Sequence, residues 1–274
     1  NEFLNYNFKN IILKNDKNEF NHVCSKWDGS NFDTLILEGG GVRAVVYAGA
    51  LKKLSEENIL DNIKCMAGTS SGAQTAAFLA AGFNCDEIAN VLRFAPWNKI
   101  LDGGFFSIKG FYYLLKRFGF YNPKYLEKYI DDLLFLKTGI KNITFLELYN
   151  LSNIHLKIGV CTLKYQEFKY IDHICYPNMP VSKGLLASSS ISLLFTSTEW
   201  DNEYFVDGGL IGNLPITAFP DNKCLALHLC SDDEFNYVEK ENPKNLLTFL
   251  RIILNILFNY EKDNYSPKNK FIKN

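Results

Sequence analysis

The sequence has 274 residues, with 29 lysines and arginines against 30 aspartates and glutamates, so its formal net charge at pH 7 is −1. A chain of this length can bury the core of one large domain. The balanced charge argues against a basic nucleic-acid binder, because no net positive field draws the protein towards phosphate.

Seven cysteines are scattered along the chain without a CxxC pair. Their odd number and spacing argue against a disulfide framework and a zinc ribbon, and we interpret them as reduced thiols of a cytoplasmic protein. The opening residues lack the basic start and apolar core of a secretory signal. The longest apolar stretch, residues 245–260, is interrupted by Arg251 and Asn255 and is too short to span a bilayer. We therefore expect a soluble protein.

Short apolar runs alternate with helical patterns in the first third of the chain. Residues 33–40 (DTLILEGG) predict a buried strand that enters a glycine loop, and residues 62–68 predict a second strand. A helix is predicted after each strand, over residues 44–59 and 71–82. The expected apolar face of the first helix consists of Val45, Ala48, Leu51 and Leu54. This alternation implies a parallel βαβ unit.

The rest of the chain continues this mixture of helices and strands. Asn84 or Asp86 is expected to cap a third helix, and Asn122 with Pro123 to begin another that ends at Gly139. Further strands are predicted at residues 154–163, 167–172, 203–209 and 223–230. With no internal repeat or low-complexity linker, we predict one domain over residues 33–230. It is flanked by an N-terminal extension (1–32) and a C-terminal amphipathic helix with a tail (231–274).

Three predicted strands end in glycine-marked segments, EGGGVRA (38–44), GTSSG (68–72) and DGGLIGNLP (207–215). Ligands of open α/β sheets gather outside the carboxyl ends of parallel strands. The first two segments are expected at that edge, and the third is expected to reach it. These segments are the candidate site.

Ser70 is the candidate nucleophile, because Gly68 and Gly72 flank it in a G-x-S-x-G pattern between a strand and a helix. Serine alone is a poor nucleophile and needs a base. Asp207, at a strand-to-glycine junction, would serve if burial raised its pKa. His228 is the histidine that a Ser–Asp–His order would use, but its place in an alternating strand favours a structural role. The pattern therefore favours a Ser70–Asp207 dyad.

The glycine triplet at 39–41 opens a predicted helix, which is the geometry that binds an oxyanion through backbone N–H groups. An alternative is the dinucleotide pattern G-x-G-x-x-A formed by Gly39, Gly41 and Ala44, with Asp61 as the ribose-binding acid. Against that alternative, the acid should follow the second strand, whereas Asp61 precedes it.

The motifs GGGVRAVVYAGAL, GTSSGA and DGG, in this order, resemble the patatin-like phospholipase family over roughly residues 33–215. The resemblance implies a three-layer α/β/α fold with a central, mainly parallel sheet, which is the fold class that we expect. It implies no metal or other cofactor, and substrates that are acyl esters of glycerolipids.

Carried over residue by residue, the resemblance implies that Ser70 is the nucleophile and Asp207 the general base. Its oxyanion loop corresponds to Gly39, Gly40 and Gly41. The supporting positions that it implies are Arg43, Gly68, Gly72, Gly208 and Gly209. Residues 185–197 resemble the A-S-x-A-x-P stretch of the family but carry Ser192 where proline is usual, so a reshaped pocket wall is expected.

The expected function is a lipid acyl hydrolase of the phospholipase A or lysophospholipase type with an acyl-enzyme intermediate. The expected partners are a phospholipid or other glycerolipid and, transiently, a membrane surface, with an activating protein left open. Residues 105–121 interleave aromatic side chains with Lys109, Lys116 and Arg117 and offer a lipid-facing surface, although core packing is the commoner use of such a stripe. The alternatives are a non-catalytic module that binds lipid or a partner, and a nucleotide-binding protein.

Overall fold

A computed structural model of the chain describes residues 32–101, 108–117, 119–229 and 252. The predicted N-terminal extension and C-terminal helix fall outside these residues, apart from Phe32 and Ile252. In the described part of the chain, no helix is long and apolar enough to cross a membrane.

The described residues contain nine strands and eight α-helices. The strands are β1 (Thr34–Leu37), β2 (Cys65–Thr69), β3 (Gly119–Tyr121), β4 (His155–Thr162), β5 (Glu167–Ile171), β6 (Leu193–Phe195), β7 (Thr198–Trp200), β8 (Glu203–Asp207) and β9 (Cys224–Leu227). The helices are α1 (Tyr47–Glu56), α2 (Ser71–Ala80), α3 (Cys85–Arg93), α4 (Trp97–Ile100), α5 (Ile108–Arg117), α6 (Lys124–Thr138), α7 (Phe145–Ser152) and α8 (Val181–Ser188).

Seven of these strands form one mixed sheet, in which hydrogen-bonded pairing connects β7-β8-β4-β2-β1-β9 and β5 also pairs with β4. Strands β9, β1, β2 and β4 are parallel neighbours, whereas β5, β8 and β7 join by antiparallel pairing. Strands β3 and β6 pair separately. The expected α/β fold with a mainly parallel central sheet flanked by helices is confirmed.

The helix ends follow the capping signals of the sequence. Asn84 accepts from the Glu87 N–H at 2.9 Å, and the Glu87 carboxylate accepts from the Asn84 N–H at 2.8 Å, which completes a capping box at the start of α3. Gly139 ends α6 in the left-handed conformation, with φ 70°. The predicted start of α3 and the predicted end of α6 are confirmed. Both boundaries are predictable from the sequence because the interactions that form them lie within a few residues.

The predicted apolar face of the first helix is partly wrong. The segment Gly41–Val46 is a 3-10 helix, and α1 begins only at Tyr47. A 3-10 helix turns by about 120° per residue rather than about 100°, so the face rotates before α1 begins. Val45 is consequently exposed. The buried face consists of Ala44, Tyr47, Leu51 and Leu54.

Candidate active site

Ser70 occupies a strained turn between β2 and α2, with φ 53° and ψ −124°. A positive φ is uncommon for any residue other than glycine and marks a position that the surroundings must enforce. A Cβ on Gly68 would lie 2.4 Å from the carbonyl carbon of Gly72, and a Cβ on Gly72 would lie 2.3 Å from the carbonyl oxygen of Leu37. Helix α2 therefore packs backbone against backbone on β1 and β2. The strand-to-helix turn predicted at Ser70 is confirmed.

Two strands meet end to end beside β4 and bring Asp207 to the level of Ser70. Strand β2 pairs with residues 155–159 of β4 and β8 pairs with residues 160–162, while β5 pairs with residues 158–162. Because β5 occupies one side of β4, β2 and β8 share the other side. Thr69 is paired with Gly159 and Asp207 with Val160. The carboxyl ends of β2 and β8 thus approach each other from opposite directions.

Small residues make this junction tight. A Cβ on Gly208 would lie 2.5 Å from the carbonyl oxygen of Gly159, and a Cβ on Gly159 would lie 2.6 Å from Thr69 Oγ1. The Thr69 hydroxyl donates to the carbonyl oxygen of Gly212 at 2.8 Å. Gly208 is one of the predicted supporting residues. Gly159 is not a predicted supporting residue. The sequence around Gly159 does not show that the ends of β2 and β8 lie beside it.

Asp207 is fully buried at this junction. Its Oδ1 atom accepts from the Gly209 N–H at 2.8 Å. Gly209, another predicted supporting residue, thus holds the carboxylate in place. Its Oδ2 atom has no hydrogen-bond partner among the residues that the structure describes. Burial raises the pKa of Asp207 to about 7, although the Gly209 N–H and the Ser70 side chain both oppose the rise. The group can therefore hold or release a proton near neutral pH.

The glycine loop after β1 contains the predicted oxyanion donors, and their part as donors stays a prediction. The Gly39 N–H donates to the carbonyl oxygen of Asn213 at 3.0 Å. The Gly40 N–H donates to Ser71 Oγ at 3.0 Å. Gly41 has φ 56° and begins the 3-10 helix, where the first N–H groups have no partner within the helix.

The carboxylate of Glu38 connects the loop after β1 to residues after β8 and β9. Its Oε1 atom accepts from Asn213 Nδ2 at 2.9 Å, and its Oε2 atom accepts from the Leu229 N–H at 2.6 Å and lies 2.7 Å from His228 Nδ1. His228 thus has a partner other than Asp207, in agreement with the expected structural role. His155 pairs with Asp172 at 2.9 Å at the amino end of β4, away from Ser70.

The nucleotide-binding alternative is wrong about its acidic residue. Asp61 lies in a 3-10 helix, Leu60–Asn62, that precedes β2. The glycine loop follows β1, and β1 is parallel to β2. Asp61 therefore lies at the amino ends of these parallel strands and the loop lies at their carboxyl ends. The two cannot bind the ribose and the phosphates of one nucleotide.

Arg43 lies in the 3-10 helix after the glycine loop and is exposed. Within the described ranges, no group of three or more His, Cys, Asp or Glu side chains is placed to hold a metal ion. The arrangement around Ser70 and Asp207 can support proton transfer between a serine and a buried carboxylate.

Comparison with known proteins identifies the family. The model for the family described as patatin-like phospholipase matches residues 35–220, which is more than half of the chain. The chain belongs to the patatin-like phospholipase family. The resemblance seen in the sequence is thereby confirmed.

Curated relatives of this patatin-like protein include viral proteins. It is 32% identical over 204 residues to protein R571 of Acanthamoeba polyphaga mimivirus, covering 74% of this chain and 66% of the relative. It is 25% identical over 200 residues to the probable lipid hydrolase 463L of Invertebrate iridescent virus 6, covering 68% of this chain and 62% of the relative. The chain spans less than two thirds of the length of these relatives.

Among solved structures, VipD from Legionella pneumophila is similar to this patatin-like protein with a TM-score of 0.53 and 18% identity. The match covers 72% of this chain and 49% of VipD. At this level of identity the likeness shows a shared fold and nothing of the site.

The last residue of α8 and the segment after it hold residues of this patatin-like protein that contact Ser70 and Asp207 and that the sequence does not predict. Ser188 Oγ accepts from the Ser70 N–H at 2.8 Å, and the carbonyl oxygen of Ser190 accepts from the Asp207 N–H at 3.0 Å. The resemblance to the A-S-x-A-x-P stretch is a signal that this segment lies near the site. A reshaped pocket wall at Ser192, which lies in the turn before β6, stays a prediction.

Proposed function

We propose that this patatin-like protein is a lipid acyl hydrolase in which Ser70 attacks the ester and Asp207 is the general base. One observation carries the proposal. A fully buried carboxylate, with one oxygen unpartnered among the described residues and a pKa raised to about 7, lies at the same strand junction as a strained serine. An ordinary aspartate, with a pKa of about 4, is too weak a base to help serine efficiently.

In the first step, Asp207 Oδ2 takes the proton of Ser70 Oγ as that oxygen forms a bond to the ester carbonyl carbon. The electron pair of the carbonyl bond moves to oxygen, and the resulting oxyanion accepts from the N–H groups of Gly40 and Gly41. The Gly40 N–H donates to Ser71 Oγ in the resting site, so that hydroxyl must give way or share the donor. The amino end of α2 adds a favourable dipole.

The tetrahedral intermediate then collapses to the acyl-enzyme. The leaving alcohol takes its proton from Asp207, which restores the carboxylate. Asp207 next accepts a proton from water, whose oxygen attacks the acyl carbon. Collapse of the second intermediate releases the fatty acid, and the Ser70 oxygen recovers its proton from Asp207. Ser70, Asp207, backbone N–H groups and water are sufficient for these steps, and no step requires a metal or an organic cofactor.

Glycerolipid esters are the proposed substrates. Membership of the patatin-like phospholipase family supports this class, as does the relative named a probable lipid hydrolase. We propose phospholipid or lysophospholipid, reached by transient contact of a cytoplasmic protein with a membrane surface.

Helix α5 supports membrane contact through an exposed apolar strip. Tyr112 and Leu115 are 57% and 64% exposed, and Lys116 beside them is also exposed. An apolar face edged by cations suits the headgroup region of a bilayer. The alternative that the aromatic stripe packs in the core is therefore wrong for Tyr112 and Leu115. Phe105 and Phe106 of the same predicted surface lie outside the described residues.

The test is fatty-acid release from mixed phospholipid vesicles in the presence of a chelator. Ser70→Ala and Asp207→Asn should each lose about a hundredfold or more in turnover while keeping a cooperative thermal transition. Matched controls are Ser55→Ala and Asp201→Asn, which alter exposed positions away from the junction and should retain wild-type rates.

Normal turnover in Ser70→Ala would refute the assignment of the nucleophile. Absence of turnover by the folded wild type, on vesicles and on a soluble ester alike, would instead favour a module that binds lipid or a partner without catalysis.

A further inference from the structure

Three consecutive serines, Ser188 to Ser190, follow from the end of α8 and contact both halves of the proposed dyad. We call these residues the serine segment. All three are buried, and Ser188 has no exposed surface. Their contacts reach the turn at Ser70, helix α2 and the end of β8. The segment therefore connects elements that are far apart in the chain.

The Ser188 hydroxyl both donates and accepts a hydrogen bond. The Oγ atom donates to the carbonyl oxygen of Gly159 at 2.7 Å and accepts from the Ser70 N–H at 2.8 Å. A serine hydroxyl has one proton to donate, and here it goes to the residue of β4 beside which β2 and β8 meet. The orientation of the hydroxyl is thus fixed, and one of its lone pairs accepts from the backbone of the candidate nucleophile.

The other two serines extend the same connection. Ser189 Oγ accepts from Gln74 Nε2 at 2.9 Å, which links the segment to the first turn of α2. The carbonyl oxygen of Ser190 accepts from the Asp207 N–H at 3.0 Å. The Ser190 hydroxyl donates to the carbonyl oxygen of Leu186 at 2.8 Å, which holds this residue against α8.

We infer that Ser188 is a positioning residue that holds Ser70 in its strained conformation facing Asp207. This inference rests on the proposed function. Ser70 adopts a positive φ that an L residue rarely adopts, so its backbone needs a partner that favours this conformation. Without the Ser188 oxygen, the buried Ser70 N–H loses its acceptor, and the turn can relax to a conformation that moves Oγ away from the base.

The experiment measures the rate at which a fluorophosphonate probe labels Ser70 at about pH 8, where Asp207 is ionised, together with the thermal transition of each variant. Ser188→Ala should be labelled about 10- to 100-fold more slowly, because a displacement of about 1 Å at a reacting atom costs up to about a hundredfold. The pH midpoint of labelling should move above 7, because the Ser70 side chain that opposes the rise in the pKa of Asp207 has moved away. Ser182→Ala is the matched control, as it removes a buried hydroxyl at the other end of α8 and should label at the wild-type rate.

Ser188→Cys separates positioning from packing. Sulfur fills the space of the hydroxyl but is a weak acceptor, so labelling should remain slow, and this variant also serves if Ser188→Ala does not fold. Wild-type labelling in Ser188→Ala, or full recovery in Ser188→Cys, would overturn the inference. Absence of labelling in the wild type would mean instead that the proposed function fails.

Discussion

The pKa of a single carboxyl group determines the predicted pH dependence. Asp207 must be ionised to take the Ser70 proton, and burial raises its pKa to about 7. We therefore predict that kcat/KM on a soluble ester rises about tenfold per pH unit below about pH 7 and levels off above it. The measurement is a pH–rate profile from about pH 5 to about pH 9. A flat profile, or a midpoint near pH 4, would be incompatible with Asp207 as the base.

The same shift predicts how Asp207 affects folding. The pKa of Asp207 in the folded protein, about 7, exceeds its ordinary value of 3.8. Between these pH values the folded protein binds more protons than the unfolded chain, so the stability contributed by Asp207 falls as the pH rises. Asp207→Asn should therefore gain in melting temperature over the wild type between about pH 4 and about pH 7, with no further gain above. A pH-independent difference in melting temperature would contradict the shift.

Residue identities at the site are partly predictable from the sequence. The local pattern around Ser70 and the strand-to-glycine junction at Asp207 are visible in contiguous sequence. Gly159 and Ser188 are not predictable in this way, because their roles depend on the register of β4 and on the end of α8. The hydrogen bond from the Gly39 N–H to the carbonyl oxygen of Asn213 is equally unpredictable, because the two residues are far apart in the chain.

At the scale of elements, the close packing of α2 on β1 and β2 requires glycine. A Cβ at Gly68 would lie within 2.4 Å of backbone atoms, so Gly68→Ala should lower the free energy of unfolding by about 3 kcal/mol or more. Gly49→Ala is the matched control, since Gly49 lies in α1 and a Cβ there would meet no heavy atom within 4 Å. That variant should gain about 0.5–1 kcal/mol. Chemical denaturation measures both, and equal effects would contradict the packing described.

Elements with local signals are the ones that the sequence predicts best. Strands β1, β2, β4, β5, β8 and β9 and the capped helices follow from apolar runs, glycines and capping residues. Helix α8 is not predicted, because its sequence, VSKGLLAS, contains glycine and serines that do not favour a helix. It is buried along most of its length, so tertiary packing rather than propensity stabilises it.

For the molecule as a whole, contact with lipid should be separable from chemistry. Tyr112→Asp with Leu115→Asp places charge on the exposed strip of α5 and should reduce activity on phospholipid vesicles at least about tenfold, because carboxylates oppose insertion into the headgroup region. Activity on a soluble ester should be unchanged. Leu136→Asp, at an exposed position of α6, is the control. Equal activity of all variants on vesicles would exclude this strip as the contact surface.

The most direct measurement is the site of covalent modification. The wild type is treated with a fluorophosphonate, and the adduct is located by peptide mass spectrometry, with Asp207→Asn and Ser70→Ala in parallel. We predict one adduct on Ser70, a strongly reduced yield in Asp207→Asn and none in Ser70→Ala. An adduct on a different residue, or an undiminished yield in Asp207→Asn, would contradict the Ser70–Asp207 dyad.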